Sequence, residues 1–185
     1  VPEPESEPSD LAPPVTWPAS ERLADWGLAR AMGRGAEVVG RFALVGEGAA
    51  RERFERFLAE RIAGSKADRD RLDRPATSGL SQNLATGEIG PRTLWHGARA
   101  AMARASGESA VSAEAFLQEI VWREFAYHLL YNTPRIETAN WRPEWDGFPW
   151  AEDGEAATRW CRAMTGIEIV DAAMREMYVT GTMHN

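Results

Sequence analysis

Residues 112–131 read SAEAFLQEIVWREFAYHLLY, and this stretch decides the fold. Apolar residues recur in it every three or four positions, which is the spacing of an amphipathic helix. Ser112 is a residue type favoured at a helix N-cap, and Asn-Thr-Pro at 132–134 ends a helix. The spacing therefore predicts one long helix over 112–131. Its predicted buried stripe consists of Leu117, Val121, Phe125 and Leu129.

Segments on both sides of this helix have the same helical spacing. The pattern predicts helices over residues 48–62, 91–107, 155–164 and 167–181. Residues 140–154 are rich in Trp and Pro, and we expect them to be irregular. No segment has the alternation of a β-strand, and no internal repeat is found. The predicted fold class is all-α.

Composition predicts a globular domain with a leading linker. The chain has 185 residues, of which 44% are hydrophobic and 26% are charged. Residues 1–20 are rich in Pro, Glu and Ser and cannot bury enough apolar surface to fold, so we expect a disordered or extended linker there. The helical domain is expected over residues 21–185.

The sequence argues against a membrane protein, a disulfide-bonded protein and a metal protein. No apolar run approaches the roughly 20 residues of a membrane span, so no membrane association is expected. Cys161 is the single cysteine, which excludes an internal disulfide and fits a reducing cytoplasm. The histidines at 96, 128 and 184 lie far apart in sequence, so no metal site is expected.

Charge alone does not predict a nucleic-acid partner. The net charge is −7, and six acidic residues fall within residues 1–25 against the single base Arg22. The remaining chain is close to neutral and not basic. Composition therefore supplies no electrostatic argument for DNA binding.

The first motif with chemical potential is Thr77-Ser78-Gly79-Leu80-Ser81. Three hydroxyl side chains surround a glycine whose backbone a ligand can approach closely, and this combination suits an anion. A plain turn rich in Ser, Thr and Gly is the alternative interpretation. The motif alone does not separate the two.

The second motif lies on the long helix. Glu119, Trp122, Arg123 and Ala126 share one face, because residues three and four apart are neighbours on a helix. A carboxylate beside an indole suits recognition of a nucleobase taken out of its duplex. The alternative is a Glu119–Arg123 ion pair beside a partly buried Trp.

Eight tryptophans are a high number for this length. Most are expected to pack in cores or interfaces. Indole is also among the easiest side chains to oxidise, so a Trp-rich domain can carry electron holes. Spacing does not assign that task to any one Trp.

Four short segments, which follow one another in the same order as in the family, resemble sequences of the DNA photolyase/cryptochrome family. The segment 77–81 with LATGEIGP at 84–91 resembles the stretch that holds the FAD diphosphate, and EIVWREF at 119–125 resembles the repair-site helix. Trp160 with TGI at 165–167, IVDAAMR at 169–175 and then MHN at 183–185 resemble the run into a second active-site helix. The resemblance is to the family's FAD-binding helical domain, and most to class I cyclobutane pyrimidine dimer photolyases.

The resemblance implies a role for each matching residue. Thr77, Ser78, Gly79, Leu80 and Ser81 would hold the FAD phosphates, and Arg123 would lie near the flavin. Glu119 would hydrogen-bond the damaged pyrimidines and Trp122 would stack on them. Asn185 would lie near flavin and lesion, and Trp150 matches the outermost Trp of the photoreduction chain.

The implied activity is light-driven repair of UV-damaged DNA. In the family, light-excited reduced FAD gives an electron to a flipped-out pyrimidine dimer, the cyclobutane ring splits, and the electron returns. Two alternatives stay open: a cryptochrome-like flavin photoreceptor without repair activity, and a non-catalytic helical module without flavin. The resemblance names no antenna chromophore.

The match also departs from the family pattern. Ser65 stands where the family usually has a Tyr that touches the FAD phosphates. The resemblance does not include the family's N-terminal α/β antenna domain or its later flavin-site helices, and we expect both to be absent from this chain. We therefore interpret residues 21–185 as part of the FAD-binding domain, and expect weak or no FAD binding and no repair by this chain alone.

Overall fold

The computed structural model describes residues 1–6, 8–151 and 154–184. Every regular element within these ranges is helical, and no β-strand occurs in them. The predicted all-α fold class is confirmed.

Eight α-helices are present in the described part of the chain. In order they are α1 Gly35–Gly40, α2 Glu47–Glu60, α3 Ser65–Asp68, α4 Ser81–Ala85, α5 Pro91–Arg104, α6 Glu108–Asn132, α7 Glu155–Cys161 and α8 Glu168–Thr180. Short 3-10 helices occupy Leu23–Trp26, Arg30–Met32, Pro134–Glu137 and Pro143–Gly147. The helices predicted from spacing are therefore found, with ends that differ by a few residues.

The chain divides into two compact units. The first consists of residues 1–4 and 44–151 and holds α2 to α6. The second consists of the described parts of residues 5–43 and 152–185 and holds α1, α7 and α8. The boundary predicted from composition, a linker over 1–20 and a domain over 21–185, stays a prediction.

The core of the first unit is built where α2, α5 and α6 meet. Phe57 of α2 is buried, and its ring lies 4.8 Å from that of Phe116 of α6. Gly97 lets α5 approach α2 closely, because a Cβ there would lie 2.6 Å from the ring of Phe54. Leu80 is buried in this same core, so the core fixes the position of the segment around it.

Helix α6 differs from its prediction at its start. It begins at Glu108, directly after Gly107 with a φ of +56°, and Ser112 lies buried inside the helix. The prediction that Ser112 caps the helix was wrong. Gly107 supplies the backbone conformation that starts the helix one turn earlier, and no side-chain cap is used.

The buried stripe of α6 also differs from its prediction. Ala113, Leu117 and Ile120 face the core, whereas Val121 and Phe125 are 52% and 50% exposed, so their assignment to the core was wrong. Leu129 is half-buried. Beyond Ile120 no described residue of α6 is buried.

In the second unit, Asp171 of α8 holds the turn that follows α7. Its Oδ1 accepts hydrogen bonds from the N–H and the hydroxyl of Thr165, at 2.8 and 2.7 Å. Its Oδ2 accepts one from the N–H of Gly166 at 3.0 Å. The bond from the Thr165 hydroxyl is the largest of the effects that hold the pKa of Asp171 below its usual range. An internal carboxylate therefore satisfies the donors of this turn.

Candidate functional site

Segment 77–81 presents hydrogen-bond donors that the protein itself does not use. Gly79 has a left-handed backbone with a φ of +64°. The hydroxyls of Thr77, Ser78 and Ser81 make no hydrogen bond within the described residues, and neither do the N–H groups of 77–81. Thr77 and Ser81 are exposed and Ser78 is half-buried, whereas Leu80 anchors the segment in the core. The donors are thus available to a ligand.

Two arginines bind carbonyl oxygens of residues 75–79. Arg53 donates to the carbonyl oxygen of Gly79 at 2.5 Å. Arg61 donates to the carbonyl oxygen of Pro75 at 3.0 Å and to that of Thr77 at 3.4 Å. The guanidinium of Arg53 lies 3.6 Å from the place where a side chain at Gly79 would start. Sequence analysis missed both arginines, because they precede their partners by 14 to 26 residues.

The residues present fit the diphosphate of FAD. Free hydroxyl and N–H donors, a glycine without a side chain and a nearby guanidinium form a donor set that an anion requires. Ser65 does not contribute to it. Its hydroxyl is buried and donates to the carbonyl oxygen of Ile62 at 2.9 Å. The contact that the family makes through Tyr at this position is thus not replaced by Ser65.

Glu119 is half-exposed on α6 and forms an ion pair with Arg69, which follows α3. The Nη1 of Arg69 donates to Oε1 of Glu119 at 2.5 Å, and this bond raises the pKa of Arg69. The alternative Glu119–Arg123 pair is not formed. A residue 50 positions away in sequence therefore orients the carboxylate.

Trp122 is 64% exposed and borders a groove of about 450 Å³ between α5 and α6. Its ring meets that of Phe125 edge-on, with 5.9 Å between centroids. The other residues that line the groove are Trp95, Arg99, Met102, Glu114, Leu117, Gln118 and Val121. Glu119 is not among them, and its carboxylate pairs with Arg69.

Arg123 connects α6 to the end of the 77–81 region. Its Nη2 donates to the carbonyl oxygen of Leu84 in α4 at 3.2 Å, and its guanidinium stacks over the ring of Tyr127 at 4.6 Å. It also pairs with Glu124. The structure thus brings Arg123 to the helix that continues segment 77–81.

Trp150 is 67% exposed and stands at one end of an aromatic group. Its ring lies 4.6 Å from that of Phe148, which lies 6.0 Å from that of Trp145. Asn185, the last predicted site residue, lies outside the described residues.

We also searched the described residues for a metal site and for a membrane-spanning helix. Among the residues with described positions, no group of three or more His, Cys, Asp or Glu could hold a metal ion. None of the helices described has the length and apolarity that crossing a membrane requires.

A family model and the sequence relatives of this chain all point to DNA photolyase. The model of the FAD binding domain of DNA photolyase matches residues 116–185. A deoxyribodipyrimidine photo-lyase of Agrobacterium fabrum is 38% identical over 182 residues, which are 98% of this chain and 37% of that protein. One from a Synechococcus species is 42% identical over 141 residues, 76% of this chain and 29% of that protein. The chain thus spans about a third of the length of these relatives.

A solved structure agrees with the sequence relatives. The crystal structure of a bacterial class III photolyase from Agrobacterium tumefaciens matches with a TM-score of 0.84 and 38% identity. The match covers 93% of this chain and 35% of that one. The finer expectation of a class I enzyme stays a prediction beside this class III relative.

Proposed function

Because the chain belongs to the DNA photolyase family, as part of its FAD-binding helical domain, we propose that the complete protein containing it is a deoxyribodipyrimidine photolyase. It would bind FAD and split cyclobutane pyrimidine dimers in UV-damaged DNA. The observation that carries this proposal is the set of unused donors on segment 77–81, which matches the family's diphosphate-holding stretch.

The cofactor would be held through its diphosphate by Thr77, Ser78, Gly79 and Ser81. Their hydroxyl and N–H groups have no partner in the described part of the chain, so binding an anion breaks no hydrogen bond seen there. Leu80 contributes by keeping the segment anchored to the core, and its side chain does not face the ligand. When bound, FAD would supply the light-driven electron for repair.

Arg123 would act at the junction between the cofactor and the lesion. Its hydrogen bond to Leu84 ties the repair-site helix to the helix that follows the diphosphate segment. Its stacking on Tyr127 limits the motion of the guanidinium. The proposed contact with the flavin thus starts from a side chain that is already held in place.

The lesion would be recognised by Glu119 and Trp122. Arg69 orients the Glu119 carboxylate, which could then accept hydrogen bonds from a pyrimidine base. Trp122 exposes most of its indole, which is the surface that stacking on a flipped base requires. Asn185 would join them, as the resemblance implies.

Trp150 would pass electrons inward from a reductant in solvent. Its exposure is consistent with that role, because a soluble reductant must reach the outermost residue of an electron-transfer chain. The rings of Phe148 and Trp145 beside it form a continuous aromatic surface.

The experiment is a light-dependent repair assay on the complete protein, with UV-irradiated oligothymidine as substrate. We expect thymine dimers to disappear under blue light and to persist in the dark. Glu119→Gln should reduce the rate at least about tenfold, since it removes a charged hydrogen-bond acceptor from the lesion. Bound flavin without repair would indicate a photoreceptor, and absence of flavin would indicate a non-catalytic module; either result contradicts the proposal.

A further inference from the structure

Three carbonyl groups of the diphosphate-holding region point towards one helix. Those of Pro75, Thr77 and Gly79 all accept hydrogen bonds from Arg53 of α2 or from Arg61, which directly follows α2. These carbonyl oxygens carry partial negative charge, and the guanidinium groups of Arg53 and Arg61 bind them.

This arrangement has an electrostatic consequence. Carbonyl oxygens that faced a diphosphate would repel it, whereas the carbonyl oxygens of Pro75, Thr77 and Gly79 accept hydrogen bonds from guanidinium groups. The hydroxyls of Thr77, Ser78 and Ser81 have no partner among the residues that the structure describes. Three carbonyl oxygens of residues 75–79 are therefore occupied, whereas the hydroxyl donors of the same region are vacant there.

Arg53 and Arg61 are held in place for this contact. A side chain at residue 79 would meet the guanidinium of Arg53, and Gly79 supplies none. The Nε of Arg61 is buried without a hydrogen-bond partner, which is an unfavourable state for a guanidinium N–H. Arg61 remains there with both of its hydrogen bonds directed at the backbone of Pro75 and Thr77.

We propose that Arg53 and Arg61 are positioning residues, which hold the backbone of residues 75–79 in the conformation that presents its donors to the diphosphate of FAD. This inference rests on the proposed function. The two arginines act through the segment and also place positive charge beside it, so FAD affinity depends on both the donor and the charge of each side chain.

The test uses the complete protein after its flavin has been removed, with FAD as the probe and fluorescence quenching as the readout. Arg53→Gln should raise the Kd for FAD about tenfold, the size expected for loss of a charged hydrogen bond. Arg53→Lys keeps the charge and a donor and should restore part of the affinity. Arg56→Gln is the matched control, because Arg56 is exposed on the same helix and makes no hydrogen bond or ion pair within the described residues.

A second readout separates positioning from general destabilisation. In flavin-free protein, Arg53→Gln should speed cleavage within residues 75–81 by a broad-specificity protease, while the unfolding temperature stays that of the Arg56→Gln control. If Arg53→Gln lowers the unfolding temperature instead, Arg61→Gln replaces it and should show the same loss of FAD affinity.

The outcomes distinguish this inference from the proposed function. If the unchanged protein does not bind FAD, the proposed function fails. If it binds FAD, and neither Arg53→Gln nor Arg61→Gln weakens binding more than Arg56→Gln does, the positioning role is overturned. Failure of Arg53→Lys to recover any affinity also counts against it.

Discussion

Two turns of the molecule contain the same residue types and treat their donors in opposite ways. Thr165 and Gly166 direct their N–H groups, and Thr165 its hydroxyl, at the carboxylate of Asp171. In Thr77-Ser78-Gly79 the corresponding donors have no partner within the described residues. One turn is closed by an anion that the chain supplies, whereas the other is open to an anion from outside.

This difference teaches how to separate a structural turn from a binding turn. Residue composition does not distinguish them, since both combine Thr with a glycine of positive φ. What distinguishes them is whether an acidic residue lies within reach. Substitutions at Asp171 and Thr165 should therefore change stability, and those at Thr77 and Ser78 should change FAD affinity.

The largest effect is expected when an anion is added to the open turn. Ser78→Asp would place a carboxylate beside the donors and repel the diphosphate, so we expect FAD affinity to fall on the order of a hundredfold or more. Ser78→Asn has the same shape without the charge and serves as the control. Equal FAD affinity in the two variants, measured by fluorescence titration, would show that the segment does not face an anion.

The next effect concerns the closed turn and depends on pH. The pKa of Asp171 is lowered in the folded protein, so its stabilisation is present above the unfolded value of about 3.9 and is lost as pH falls through the folded value. Asp171→Asn should therefore lower the unfolding temperature at pH 7 and converge with the unchanged protein in acid. A difference that stays constant from neutral pH to about pH 2 would contradict the assignment.

A smaller effect is expected at a single hydroxyl of the open turn. Thr77→Val keeps the side-chain shape and removes one donor, which should weaken FAD binding about fivefold to tenfold without lowering the unfolding temperature. A flavin titration and a thermal unfolding measurement together check this prediction. Unchanged affinity with lower stability would place Thr77 among structural residues.

The smallest effect is expected at the equivalent hydroxyl of the closed turn. Thr165→Val removes one of the hydrogen bonds to Asp171 and should lower the midpoint of chemical denaturation by less than Asp171→Asn does, since the N–H groups of Thr165 and Gly166 still bind the carboxylate. FAD affinity should stay the same. Chemical denaturation together with a flavin titration would detect the reverse pattern, in which affinity falls and stability does not.

The fold could be predicted from sequence because helical spacing and helix-ending residues are local. The helix over 48–62 was found as α2, and Pro91 does begin α5. Errors arose where the deciding contact is tertiary. Val121 and Phe125 fit an apolar stripe, but about half of each side chain is exposed in the structure.

The candidate site could be predicted only in part, for the same reason. The motif at 77–81 was visible as a cluster of hydroxyls around a glycine, and its match to known proteins is a match of sequence. The partners that shape the site come from distant positions. Arg53 reaches Gly79 across 26 residues, and Arg69 reaches Glu119 across 50, so no pattern of spacing identifies either contact.

The central claim is that the vacant donors of residues 77–81 receive the diphosphate of FAD, and amide hydrogen exchange tests it most directly. Exchange is measured by mass spectrometry on the complete protein with and without FAD. We expect exchange at residues 77–81 to slow on binding, and exchange at Thr165 and Gly166 to stay the same. Binding of FAD with no change in exchange at residues 77–81 would contradict it.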